Sequence, residues 1–240
     1  MIKYPYQSKI VLGGICFHFY MQFAESRLCF QPYEVELDDL ACVDLCVPEE
    51  EWAYVLPRGL RRNGQIEASL LTALASDYLL QHDSCIFHSV AFRTKDDAWL
   101  ICGPSGVGKS TQIRNLESIS PSSFSIICGD RPVLKQMENG EILVLPSPWN
   151  GKENWKGAEA APLKGIICLQ RGKSNELLPL KNRDAVIPVF QSLIQTGKTS
   201  HEILLSAAFT EKIIRACPVW RLTSYQVPES TKLLYATLFA

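Results

Sequence analysis

Hydrophobic and polar positions divide the chain into two stretches of different texture. From 1 to about 62 the apolar residues come in short runs, KIVLGGICFHFY, RLCFQPYEVEL, ACVDLCV and WAYVL, broken by Gly13-Gly14, the Asp38-Asp39 pair and Pro57. Runs of this length between turn formers predict short strands. The opening segment has one short apolar run with aromatic and polar interruptions and no small-residue cleavage site. It therefore reads as the first strands of the fold. Asn63-Gly64 predicts a turn, and 65-QIEASLLTALASDYLLQH-82 a helix, with Ile66, Leu70, Leu71, Leu74, Leu79 and Leu80 mainly three and four residues apart.

After that helix the pattern changes to strands separated by single helices and hairpins. SCIFHSVAF and AWLICG predict two strands joined at 94-TKDD-97, and a helix is expected from Lys109 to about Ile119. FSIICGD is an apolar strand ending on an acid. PVLKQM and EILVL form a hairpin turning at 138-ENG-140, and 164-KGIICLQRG-172 returns to strand. The last third reads mostly as helix, with VWRLTS as a final strand. Hairpins mixed with strand-helix units predict an α/β fold on a mixed sheet. The expected division is a small β-rich portion at 1–62 and a nucleotide-binding domain at 63–240. Apolar residues spread evenly through both favour one cooperative unit.

Composition narrows the classes of function. With 47% hydrophobic and 20% charged residues the chain is globular. A formal net charge of −1 points to neither a nucleic-acid nor a membrane surface. No apolar run approaches the length of a membrane-spanning helix. Nine cysteines, with no C-x-x-C pair, lie mostly in apolar strand-like runs. They are expected to be buried, reduced thiols of a cytoplasmic protein, without a disulfide framework or metal site.

The candidate chemistry lies in 101-ICGPSGVGKSTQ-112. Gly103, Pro104, Ser105, Gly106, Val107, Gly108, Lys109 and Ser110 match G-x-x-x-x-G-K-[ST] at every fixed position. Glycines let successive backbone N–H groups turn toward a phosphate, and a helix N-terminus adds positive dipole. Lys109 is expected on the β- and γ-phosphates of ATP or another nucleoside triphosphate, and Ser110 on Mg²⁺. Asp130 ends the next apolar strand, where a carboxylate can reach the metal; the alternative is an acid starting a turn before Pro132. His88, in CIFHSV, is either a satisfied core histidine or a polar partner of that acid or of the phosphates. The 146-PSPWNGKENWKG-157 loop is either a surface loop over packed tryptophans or a functional one. In the second case Lys152 acts as electrostatic stabiliser and Glu153 or Asp130 lies near a hydroxyl.

These residues together resemble the kinase domain of HPr kinase/phosphorylase, whose fold is related to phosphoenolpyruvate carboxykinase. That family has a histidine fifteen residues before the first loop glycine, as His88 precedes Gly103. It has a G-x-S-G-x-G-K-S loop, matched here including Ser105, and then an apolar strand ending Asp-Asp-Arg, where this chain has Gly129-Asp130-Arg131. The likeness runs over about 65–240, and its specific part from His88 to Arg131. Gly129 stands where the family has a first acid that resembles a catalytic base, and Thr111 where it has Glu. The sequence is also similar to shorter HPr-kinase-like proteins encoded near peptide-modification genes, through Gly129-Asp130-Arg131-Pro132 and Pro148-Trp149-Asn150-Gly151-Lys152-Glu153. The resemblance implies phosphoryl transfer to a serine-type hydroxyl of a peptide, protein or small molecule.

Three readings follow. The first is a Mg²⁺-dependent ATP kinase using Asp130, His88, Lys109 and Lys152, with the nucleotide on Gly103 and Ser105 through Thr111. The second is a nucleotide-binding module that hydrolyses slowly or not at all and orders a partner surface. A carboxykinase-type enzyme is the third, and the second metal site and arginine cluster it needs are not found. The N-terminal portion is expected to shape either the acceptor site or a homo-oligomer contact.

Overall fold

A computed structural model describes residues 3–36, 41–55, 61–121, 124–157 and 159–238. The Asp38-Asp39 pair and Pro57, expected as breaks between strands, lie outside the described residues.

The N-terminal portion is a three-stranded sheet with two short helices. Strand β1 (Tyr6–Leu12) turns through Gly13 and Gly14, at φ +59° and +87°, into antiparallel β2 (Ile15–Met21). Parallel to β2 runs β3 (Cys42–Cys46), and the facing pair Cys16 and Cys42 is joined by a disulfide. That bond corrects the expectation that all nine thiols are reduced. Two adjacent strands bring residues 26 apart into register, which spacing along the chain does not reveal.

Two expected strands are helices. The first half of RLCFQPYEVEL belongs to α1 (Ala24–Phe30), followed by a 3-10 turn at Gln31–Tyr33. Phe23, at its N-cap, offers no side-chain cap. Glu67 supplies the acceptor instead: its fully buried carboxylate takes Gln22 N–H at 2.7 Å, Phe23 N–H at 3.2 Å and Ser26 Oγ–H at 2.5 Å. WAYVL falls in α2 (Glu49–Val55), where Glu49, Glu50 and Glu51 in the first turn favour the helix dipole. Behind α1 lies α3 (Gly64–Leu80), the helix expected after Asn63-Gly64, with Asn63 capping Ile66 N–H at 2.9 Å. Leu71, Ala75 and Leu79 of α3 share one buried cluster with Phe17, Phe19, Phe30 and Trp52, and also with Ile86, Val133 and Trp149 further along the chain.

The large sheet is mixed, as the element order predicts. Its strands are β4 (Ser84–Ile86), β5 (Ser89–Thr94), β6 (Asp97–Cys102), β7 (Ser125–Cys128), β8 (Val133–Gln136), β9 (Ile142–Leu145), β10 (Ala161–Arg171), β11 (Glu176–Pro179) and β12 (Val219–Ser224). They run in the order β4-β8-β9-β10-β6-β5-β7, with β12 beside β10 and β11 beside β12. Alternate residues of the central strands serve opposite faces. Val90, Phe92, Ile101, Ile167 and Leu169 meet α4 (Lys109–Ile119) and α7 (Val227–Leu238). Ala91, Leu100, Cys102, Ile166 and Cys168 meet α5 (Asn182–Phe190) and α6 (Ser200–Ala216). Both faces are covered, which is why these strands read as unbroken apolar runs.

β6 is antiparallel to β5, and β5 to β7, so β6 and β7 end at the edge where β5 begins. The positions just beyond those ends are Gly103, Asp130 and His88. Among the described residues no helix is long and apolar enough to cross a membrane.

Candidate functional site

The loop 103–108 leaves β6 and enters α4 through three glycines at positive φ: Gly103 at +142°, Gly106 at +74° and Gly108 at +115°. At Gly103 a Cβ would stand 2.5 Å from Leu169 O, so the residue is needed for packing as well as conformation. At Gly106 and Gly108 nothing lies within 4 Å of the Cβ position, so these two line open space. Gly108 gives α4 no side-chain cap, leaving the first-turn N–H groups turned toward that space. Arg171, at the end of β10, donates from Nη2 to Gly106 O at 2.8 Å and steadies the loop from outside.

Lys109 is 9% exposed, and its Nζ donates to Gly103 O at 2.9 Å and Pro104 O at 3.4 Å. Burial pushes its pKa down, partly opposed by the Asp130 carboxylate. His88 Nε2 stands between the two charges, 3.3 Å from Lys109 Nζ and 3.4 Å from Asp130 Oδ1. The other carboxylate oxygen is 3.2 Å from Arg131 Nε. That N–H is buried and not aimed at the oxygen, so the contact is an ion pair without a hydrogen bond. Burial tends to raise the Asp130 pKa, but the His88 hydrogen bond and the Arg131, His88 and Lys109 charges outweigh it and hold the carboxyl below the ordinary range.

The 146–157 loop closes the site from the far side, pinned to the end of β7. Gly129 N–H donates to Trp155 O at 3.1 Å, Arg131 N–H to Trp149 O at 3.1 Å, and Ser147 Oγ–H to Arg131 O at 2.5 Å. Its tryptophans pack inward: Trp149 is 7% exposed and set edge-on to Phe30, and Trp155 joins the cluster under α4. Lys152 and Glu153 turn the other way and line the cleft. The tryptophans thus pack as the first reading of this loop expects, and Lys152 and Glu153 have the placement that the second one requires. Glu153 lies 3.5 Å from Arg114 Nη2, an ion pair between residues far apart in sequence that no local pattern predicts. The loop also fills the position beside Gly129, where a Cβ would stand 2.3 Å from Asn150 O and 3.1 Å from Trp155 Cβ.

The result is a cleft of about 570 Å³ walled by His88, Ser105, Gly106, Gly108, Lys109, Ser110, Thr111, Arg114, Asp130, Arg131, Lys152 and Glu153. Gly103 and Val107, also expected to hold the nucleotide, do not line this cleft but border neighbouring cavities. The structure therefore brings His88, the loop, Asp130 and Lys152 to one place. Sequence reasoning missed Arg114 and Arg171, because their roles depend on which strands become neighbours. Among the described residues no group of three or more His, Cys, Asp or Glu could hold a metal by itself.

No family model matches the chain, and no curated protein matches it. Among solved structures it is similar to the Hpr(Ser) kinase/phosphatase from Coxiella burnetii, at 13% identity and a TM-score of 0.36, over 65% of this chain and 99% of that one. A likeness of this size carries no argument, so the case for function stands on the residues just described.

Proposed function

We propose that the chain is a Mg²⁺-dependent ATP kinase that moves the γ-phosphoryl group to a serine-type hydroxyl of a peptide, protein or small molecule. The observation that carries the proposal is the meeting at the cleft of Lys109 Nζ and Asp130 Oδ1 on His88 Nε2, at 3.3 and 3.4 Å, beside the open cradle of Gly106 and Gly108. The loop and the α4 N-terminus take the phosphates, and Lys109 exchanges its carbonyl partners for phosphate oxygens. A magnesium ion fits the donor set. Ser110 and Asp130 offer one hydroxyl and one carboxylate, and this ion takes its remaining ligands from phosphates and water. Bound there, it would neutralise charge on the β- and γ-phosphates.

In the reaction the acceptor oxygen bonds to the γ-phosphorus while the bond from that phosphorus to the β–γ bridging oxygen breaks, releasing ADP. The hydroxyl proton passes to an Asp130 oxygen and from there to solvent. His88 holds the Asp130 carboxylate toward the cleft, and Lys152 and Arg131 offset charge on the transferring group. With Gly129 next to it and Glu153 paired with Arg114 at 3.5 Å, Asp130 is the acid available to the hydroxyl. A loose transition state asks little of a base, so one carboxylate suffices.

A second reading, a nucleotide-binding module without transfer, is favoured by one observation: Gly129 has no room for the second acid. γ-Labelled ATP with Mg²⁺, free serine and serine peptides separates the two. Label in an acceptor, lost in Asp130→Asn and Lys109→Ala, supports the kinase; tight ATP binding with no labelled product sinks it.

A further inference from the structure

On the other side of Asp130 lies a second groove of about 420 Å³, lined among others by Leu28, Pro32, Gln65, Ala68, Arg131 and Lys156. Asp130, Arg131 and Gly151 line both this groove and the phosphate cleft, so the two adjoin along these residues. A hydroxyl entering from the groove meets the Asp130 carboxylate directly. A third cavity, about 540 Å³, borders His88 and Gly103 but does not touch Asp130, so a hydroxyl held there has no carboxylate to receive its proton.

We propose that this groove is the acceptor site and that it takes a peptide segment carrying a carboxylate close to the hydroxyl that is phosphorylated. The inference rests on the kinase reading and names its substrate class. Charge supports it first. Arg131 and Lys156 face one acid in the groove, Asp130, which is already engaged by His88 and Arg131. Among the described residues Lys156 has no acidic partner, and neither does Lys152 in the adjoining cleft. A locally basic groove on a chain of net charge −1 selects anionic ligands.

The remaining lining suits a peptide. Leu28, 65% exposed, stands beside Pro32 and Ala68 as an apolar shelf for a neighbouring side chain. Asn150 and Trp149, 4% and 7% exposed, form part of the floor, and Asn150 Oδ1 and Trp149 Nε1 have no hydrogen-bond partner. A peptide main chain offers the matching N–H and C=O. Both atoms are covered, so engaging them requires the loop to shift as the peptide seats.

The carboxylate can come from an Asp or Glu side chain or from a chain end, and separate peptides distinguish these. Serine peptides capped at both ends with acidic, neutral or lysine neighbours, and a neutral one with a free C-terminal carboxylate, are assayed for transfer from ATP·Mg²⁺. Their binding to the full chain loaded with a non-hydrolysable ATP analogue is measured by fluorescence anisotropy. Lys156→Glu and Leu28→Asp run alongside, with thermal melts to check folding. The expected result is a preference for the carboxylate peptides that falls by about fivefold or more in Lys156→Glu, with lysine peptides gaining in that variant. Weaker binding in Leu28→Asp is also expected. Transfer indifferent to peptide charge and to both variants overturns the groove and leaves the kinase. Acidic peptides that bind through Lys156 and Leu28 but receive no label retain the groove and overturn the kinase. A chain that binds no peptide overturns the groove outright.

Discussion

Gly129→Ala puts a methyl group 2.3 Å from the Asn150 carbonyl oxygen and 3.1 Å from Trp155 Cβ. The carbonyl belongs to the backbone and has little freedom to withdraw. Its neighbours are tied back by Arg131 N–H to Trp149 O and Gly129 N–H to Trp155 O, both 3.1 Å, and the Asn150 side chain donates to Tyr33 Oη at 2.9 Å. Restoring an ordinary contact moves the carbonyl by about 1 Å. Overpacking of this kind costs about 1–3 kcal/mol, and loosening one of the loop's hydrogen bonds adds roughly 1 kcal/mol. At about 2–4 °C per kcal/mol for a chain of this size, a loss near 3 kcal/mol lowers Tm by roughly 6–12 °C. Gly151 leans on Asp130, its Cβ position 3.2 Å from Asp130 Cβ, so the displacement also disturbs the carboxylate. Thermal melts and an ATP-binding titration check this: Tm falls and transfer is lost while nucleotide binding on the loop survives. A variant melting within a degree or two of the parent would refute the packing argument. Gly129→Asp, which restores the acid of the resembling family, is expected to fare worse than alanine; higher activity in it would show that room for a second acid exists.

The remaining predictions concern pH, the helix cap and the disulfide. Because the folded Asp130 pKa is lowered, its contribution to stability is present above the unfolded carboxylate value of about 3.9 and is lost as pH falls through the lower folded one. Asp130→Asn should therefore make acid unfolding less steep below about pH 4, and the wild-type rate profile should show no acidic limb from this group above about pH 5. Glu67→Ala leaves the Gln22 and Phe23 N–H groups without their acceptor, while the Ser26 hydroxyl keeps Gly64 O at 3.0 Å; the loss costs about 2–4 kcal/mol, and hydrogen exchange should rise first in 22–30. Cys16→Ser opens a 26-residue closure worth about 3.5 kcal/mol in chain entropy; a melting point unmoved by the substitution or by reductant would refute the pairing.

The residues of the candidate site were more legible in the sequence than the architecture around them. Gly103 to Ser110 is a local pattern, and His88 and Asp130 sit at the ends of strands whose apolar runs are unmistakable. That these ends meet follows from pairing, β5 against both β6 and β7, which periodicity alone does not state. Helix α1 was hidden because its cap comes from Glu67, more than forty residues away. In α2 the start signal was local, Pro48 before three glutamates, but Trp52, Tyr54 and Val55 carry strand propensity and hid it. The filling of the space beside Gly129 depends on where a distant loop returns, so no reading of GDRP reveals it.

The meeting of groove and cleft at Asp130 also bears on how the chain can diverge. Its phosphate side is written in residues 88 to 153, while the far wall of the groove comes from Leu28, Pro32, Gln65 and Ser69. If the groove takes the acceptor as proposed, mutation can remodel that far wall while leaving the phosphate side alone, within limits set by Phe30, packed against Trp149, and by Glu67. A chimaera carrying a foreign segment over 22–69 should change the preference for the apolar neighbour while keeping that for a carboxylate, which Arg131 and Lys156 set, provided Phe30, Glu67, Cys42 and Trp52 are kept.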